Sequence, residues 1–213
     1  MPPTFTFDEA SHVYRAEGAI VPGVTRILEH AGMVNLSMVC EDILERKTLV
    51  GKIVHAATHY DDEGQLDWSS LEKDALPYVL AWKEFKKDSG FTPSVCELQL
   101  VAELNGMPYG MQVDRCGYLG YQDVVIDMKT GPFHWRHEVQ LAAYMAGAPL
   151  NNLSSPLARY FSRKGYIVEL RADRTYRLRG PFCSKELLMV FSSCLHVTHF
   201  KLKRGSELPE VPQ

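Results

Sequence analysis

Between Val95 and Lys129 the hydrophobic pattern alternates, and this constrains the fold more than any other feature of the chain. VCELQLVAEL, PYGMQVDRCGYL and YQDVVIDMK are three strand-like runs, separated by an Asn-Gly turn and a Gly-Tyr-Leu-Gly turn. Linkers this short predict a three-strand meander. On either side the period changes to that of helices. Val24, Ile27, Leu28 and Ala31 follow Pro22-Gly23 at helical spacing, and Gly32 ends that segment. A longer pattern over residues 37–60 puts Val39, Ile43, Leu44, Val50, Val54 and Ala57 on one broad face. Residues 74–89 predict a further helix, stopped by Ser89-Gly90. After the meander come a helix over 138–148, two strands in ARYFSRKG and YIVELRA, and a final helix over 183–199. The opening FTFDEASHVYRAEGAIV reads as a short hairpin. With no internal repeat and no linker, this order predicts one α/β domain with a mixed central sheet of about five strands flanked by helices. The expected division is an N-terminal hairpin and helix over 1–36, a core over 37–200, and a flexible tail over 205–213.

A chain of 213 residues can bury one sizeable core. No apolar run approaches the roughly 18–20 residues that span a bilayer. The first ten residues lack the basic and apolar regions of a secretory signal. The five cysteines, Cys40, Cys96, Cys116, Cys183 and Cys194, are scattered with no CxxC pair, which argues against a zinc ribbon or a disulfide framework. A cytoplasmic, reducing environment is expected, with no membrane partner. The net charge of −3 is unevenly spread. Residues 157–185 are rich in Arg and Lys, whereas 59–74 carry six acids and one lysine. The basic stretch is compatible with a phosphate-binding face and equally with a solvated surface.

The candidate chemistry lies on the second and third strands of the meander. A turn centred between Gly120 and Tyr121 makes Asp114 and Asp127 cross-strand partners, roughly 4.5–5.5 Å apart at Cβ. Two carboxylates so placed repel unless a cation neutralises them, and hard oxygen ligands suit Mg²⁺ or Mn²⁺. Lys129, two residues beyond Asp127, shares its face, where an ammonium could position water or stabilise charge building on a phosphate. Alone, Asp-x-Lys also describes a solvated pair on an exposed strand.

Four ordered segments add to this pair: Gly51-Lys-Ile-Val-His55, Gly110-Met-Gln-Val-Asp114, Asp127-Met-Lys129 and Gln140-Leu-Ala-Ala-Tyr144. In that order they resemble the PD-(D/E)XK nuclease superfamily, and within it the RecB-like branch of phage-type exonucleases and a mitochondrial single-strand DNA exonuclease. The Gly-to-Asp spacing is one residue longer than the commonest form. The segment VPGVTRIL is also similar to that branch, with glycine in place of a serine. The resemblance covers roughly residues 20–170.

It implies a restriction-endonuclease-like core and a metal-dependent deoxyribonuclease, chiefly an exonuclease on DNA ends or single strands in phage-type recombination, replication or repair. It assigns the metal to His55, Asp114, Asp127 and the Met128 backbone carbonyl, with Glu97 at a recurrent acidic position. Lys129, Gln140 and Tyr144 join the two aspartates in catalysis. Thr25, Arg26, Lys52 and Arg159 become candidate DNA contacts, on resemblance and charge. A recombination or single-strand-binding protein is a further candidate partner. The rivals are a structure-specific endonuclease on the same core and a catalytically silent DNA-binding recombination module.

Other groups are read as structural. His134-x-x-His137 and His196-x-x-His199 lack a third ligand nearby. Only Cys183 and Cys194 follow the Gln140–Tyr144 segment, so the iron–sulfur cluster of some relatives is not expected. Trp135, Tyr160 and Phe161 are candidates for stacking on bases, with core packing the alternative for Phe161. No GxxxxGK[ST] loop is present, so no nucleotide cofactor is expected.

Overall fold

The computed structural model describes residues 5–8, 11–34, 41–149, 164–182 and 184–208. The meander is the largest feature: β4 (Phe91–Leu104), β5 (Met107–Leu119) and β6 (Gln122–Lys129), paired antiparallel in sequence order. A helix, α4 (Arg136–Ala146), then crosses the sheet, and β8 (Lys164–Leu170) returns parallel to β6. With β7 (Ala148–Pro149) and β9 (Tyr176–Phe182) at its edges, the sheet has the order β7-β4-β5-β6-β8-β9. It is mixed, with five long strands and the two-residue β7.

Helices cover both faces. On one side, α1 (Val24–His30), α4 and α5 (Lys185–Lys203) bury Ile27, Leu141, Phe191 and Leu195 against Met111, Val113, Val125 and Ile167. On the other, α2 (Glu41–Asp62) and α3 (Leu76–Ser89) bury Val54, Trp82 and Phe85 against Val124, Ile126, Met128 and Val168. Each fully buried side chain of this size contributes roughly 1.5–3 kcal/mol over its exposed state. The helix ends carry local signals. Pro77 sits in the first turn of α3, Gly90 closes that helix at φ 68°, and Ser184 caps α5 by accepting from the Glu186 N–H.

Several expectations need correction. The N-terminal hairpin is a three-stranded sheet: β1 (Phe5–Asp8), β2 (Val13–Ala16) and β3 (Ala19–Val21). It docks through Tyr14, whose ring occupies the space a side chain at Gly110 would need; a Cβ there would lie 2.1 Å from that ring. Of the broad apolar face expected over 37–60, Val54 and Ala57 are buried and Leu44 and Val50 half-buried, whereas Ile43 is more than half exposed. Val39 lies outside the described residues. Strand β9 was not anticipated. It is an edge strand with no fully buried residue, so burial leaves little mark on its pattern. Most of the ARYFSRKG strand lies outside the described residues. Among the described residues, no helix is long and apolar enough to cross a membrane.

Candidate metal centre

The site forms where β5 leaves β6. Their pairing runs from Leu119↔Gln122 to Arg115↔Ile126, the register expected from the turn, and there the described ladder ends. β6 continues for three more residues, paired only with β8. Asp114, the next residue on β5, turns its carboxylate to the gap, and its Oδ2 accepts the Met128 N–H at 2.6 Å. A side chain thus replaces the next rung, and the strands open around Asp114 and Asp127.

The adjoining strand is irregular at the same level. Val95 and Leu98 on β4 both pack toward α1, α4 and α5, as do Val113 and Cys116 on β5. A spacing of three on both strands means that each breaks its alternation between these positions. Cys96↔Arg115 and Leu98↔Val113 flank the break. On β4 the residue in the break is Glu97, held at φ 49°, a left-handed conformation that non-glycine residues rarely adopt. On β5 it is Asp114.

His55 of α2 completes the group. Its Nδ1 lies 3.5 Å from Asp114 Oδ1 and 3.6 Å from Glu97 Oε1, and one donor atom from each of the three lies within 4.8 Å of the others. Among the described residues this is the one cluster of His, Cys, Asp and Glu able to hold an ion. Glu97, the residue least marked in the sequence, therefore stands with His55 and Asp114. Asp127 is fully buried beside them, and its Oδ1 accepts from Lys129 Nζ at 2.8 Å. Among the described residues its Oδ2 is buried with no partner.

The electrostatics follow from this crowding. Burial, reinforced by the Asp114 charge, pushes Asp127 up to about 6 in spite of the Lys129 ammonium. Lys129 is itself raised: burial opposes its charge, but Asp127 and Asp114 outweigh that. His55 is raised in the same way by Asp114 and Glu97. Burial would raise Glu97, yet His55, Arg115 and Gln112 hold it well below the usual carboxylate range. The structure thus gathers acids and an imidazole in one buried place with an oxygen left unsatisfied. Hard oxygens plus one nitrogen form a donor set that fits a divalent cation such as Mg²⁺ or Mn²⁺.

The remaining sequence candidates sort as follows. Gln140 donates to the Tyr144 hydroxyl at 2.6 Å, and burial together with Asp127 and Asp114 raises that hydroxyl strongly. Lys52 and Arg26 lie close enough to His12 to help burial disfavour its protonation. Thr25 is exposed on α1. Arg159, Tyr160 and Phe161 lie outside the described residues, and Trp135 is half exposed. His137 Nδ1 accepts the His134 N–H, while His196 and His199 contact the Ser192 and Pro108 carbonyls. In the basic stretch, Arg171 and Arg179 both pair with Glu169. At Gly51, among the described residues, an added Cβ would meet only Thr130 Oγ1, at an ordinary 3.5 Å. Among the described residues, nothing packs closely enough to require glycine there.

The sequence reading missed the residues behind the donors. Arg115 is fully buried and donates to Glu97, Asp62, Thr58 and the Asp114 carbonyl, while Gln112 donates to the other Glu97 oxygen. Its place directly after Asp114 was the only available signal. Two clefts flank α2. One, of about 720 Å³, is lined by His55, Glu97 and Gln112 with Lys52, His12 and Tyr60. The other, of about 840 Å³, is lined by Arg46, Lys47, Tyr78, Thr130 and Arg171 and includes none of the clustered donors. The chemistry therefore belongs to the smaller.

The fold is shared with a solved protein from Eubacterium rectale described as a putative exonuclease. The TM-score is 0.55 at 13% identity, covering 89% of this chain and 84% of that one. Two other solved structures, SSO0001 (16% identity, 75% and 76% covered) and LHK-Exo in complex with dAMP (12% identity, 87% and 93% covered), align with a TM-score of 0.36 each. No family model matches the chain.

Proposed function

We propose that this protein is a metal-dependent deoxyribonuclease of the PD-(D/E)XK type, acting as an exonuclease on DNA ends or single strands. The observation that carries the reading is the unpartnered, buried Oδ2 of Asp127 beside the His55–Glu97–Asp114 group. A buried carboxylate oxygen without a partner is costly in a structural role and is what a cation would satisfy. The likeness to a fold described as a putative exonuclease supports the same reading. It extends to a RecB-like, phage-type role in recombination, replication or repair in the cytoplasm, with a recombination or single-strand-binding protein as partner.

In this reading His55, Glu97, Asp114, Asp127 and the Met128 carbonyl hold Mg²⁺ or Mn²⁺. A bound divalent ion supplies Lewis-acid stabilisation of the charge that builds on the phosphate. Lys129, anchored by Asp127, orients the attacking water and presents its ammonium to the same charge. The Gln140–Tyr144 pair, whose hydroxyl lies near both aspartates, joins them by hydrogen-bonding a carboxylate or the DNA phosphate. Lys52, Arg26 and Thr25, with Arg159, bind flanking phosphates.

The test uses end-labelled single-stranded, blunt and tailed duplex DNA with Mg²⁺ or Mn²⁺, alongside circular single-stranded DNA. Progressive shortening of linear substrates with the circle intact is expected. Cleavage of the circle would convert the reading to an endonuclease on the same core. If the wild type degrades no DNA with either metal, and Asp127→Ala binds DNA no differently, the nuclease reading is lost.

A further inference from the structure

The guanidinium of Arg115 touches the support of every donor in the group. Its Nη1 donates to Glu97 Oε1 at 2.7 Å and to the Asp114 carbonyl at 2.6 Å. Its Nη2 donates to Thr58 Oγ1 at 3.0 Å, and that hydroxyl donates in turn to the His55 carbonyl at 3.0 Å. Its Nε donates to Asp62 Oδ2 at 2.7 Å. Asp62 is anchored independently, since its Oδ1 accepts from Lys86 Nζ at 2.6 Å and from Trp82 Nε1 at 2.9 Å. Arg115 is wholly buried, and the face of Trp82 lies 5.7 Å from its Cζ.

A buried ion pair is a poor device for stability alone, because well-packed apolar residues commonly serve as well. What a planar fork of five donors provides is geometry, and lysine cannot reproduce it. That geometry is needed here because the two strands carrying Glu97 and Asp114 both break their alternation at those residues. Glu97 also holds a left-handed backbone conformation. The Met128 N–H holds the Asp114 carboxylate and Gln112 holds Glu97, while Arg115 ties both strands to the helix that carries His55.

We propose that Arg115 is the positioning residue of the metal group, setting His55, Glu97 and Asp114 at one spacing through Glu97, the Asp114 carbonyl and Thr58. The proposal rests on reading this group as a metal site. Arg115 touches no substrate, and its influence is on the affinity for the ion.

The test titrates Mn²⁺ into the full chain and follows the EPR signal of the free ion, for wild type, R115K, E97A and the double variant. Thermal melts report folding separately. R115K is expected to weaken Mn²⁺ binding by about 10–100-fold, as loss of a group supporting metal ligands does. Because much of that effect passes through Glu97, the double variant should lose far less than the product of the two single losses. A merely structural arginine would lower the melting temperature and leave the folded protein's Mn²⁺ affinity unchanged. The proposal is overturned if folded R115K binds Mn²⁺ within about twofold of wild type, or if the two losses multiply. If R115K does not fold, D62N decides. It removes the charge that anchors Nε, and a loss near the lower end, about 10-fold, is expected. Unchanged binding by D62N overturns the proposal equally. Failure of the wild type to bind Mn²⁺ at all would remove the metal reading itself, a result distinct from binding that ignores Arg115.

Discussion

Asp62 and Asp127 are both buried aspartates within reach of a lysine, yet their surroundings differ in kind. Asp62 accepts from Arg115, Lys86 and Trp82, so both of its oxygens are occupied. Asp127 accepts from Lys129 on one oxygen and, among the described residues, is orphaned on the other. The first is a finished structural network and the second an unfinished one. Burial of an acid therefore says little about its role, whereas the state of each oxygen says a good deal.

Exchanging the two roles gives the largest expected effects. Asp62→Ala removes the partner of the buried Arg115 Nε and one of the two carboxylates paired with Lys86, and should destabilise the fold by about 3–5 kcal/mol in chemical denaturation. Asp127→Asn should cost DNA cleavage on the order of 10²–10³-fold or more. It should leave the metal-free fold near wild-type stability, since it relieves the repulsion with Asp114. Equal destabilisation by both variants would erase the comparison. Next in size is the response to metal. At 100 times its dissociation constant Mn²⁺ should stabilise the wild type by about 2.7 kcal/mol, and Asp127→Asn should lose most of that gain in thermal melts.

Two glycines sharpen the same distinction between structure and function. Gly110 is required by the Tyr14 ring, so Gly110→Ala should lower stability. Gly51 lies inside α2 with room for a methyl group. Gly51→Ala should therefore raise stability by about 0.5–1 kcal/mol while reducing DNA cleavage. Undiminished cleavage would remove Gly51 from the cleft's function.

A separate effect, confined to acid conditions, concerns pH. Burial, with Lys129 and Arg136 nearby, lowers His137 to about 3, so the native protein resists a proton that the unfolded chain accepts below its ordinary value near 6.5. The stability this group contributes is fully present above pH 6.5 and is lost as pH falls toward 3. His137→Asn should flatten that part of the stability profile, and an unchanged acid limb would contradict the assignment.

Much of this arrangement was legible from residue order. Alternation predicted the meander, and the Gly120–Tyr121 turn predicted the β5–β6 register observed up to Arg115↔Ile126. The ordered segments already held Gly51 with His55 and Gln140 with Tyr144, each pair four residues apart and so one helical turn apart. What was not legible was the break in alternation. Local pattern assumes regular strands, and Glu97 and Asp114 come together where β4 and β5 both depart from regularity. Arg115 was hidden for a related reason: a charged residue in a strand reads as solvent-facing unless its partners are known. Those partners, Thr58 and Asp62, lie more than fifty residues earlier in the chain.

By itself, then, the sequence determined the meander, the main helices, their order and the chemical types of the candidate donors, because hydrophobic period, turn chemistry and side-chain identity are local properties. Only the tertiary structure decided which acids are neutralised and which remain open. A carboxylate's state depends on every donor that packing brings to it, and those donors come from distant helices and from strands that part at a single rung.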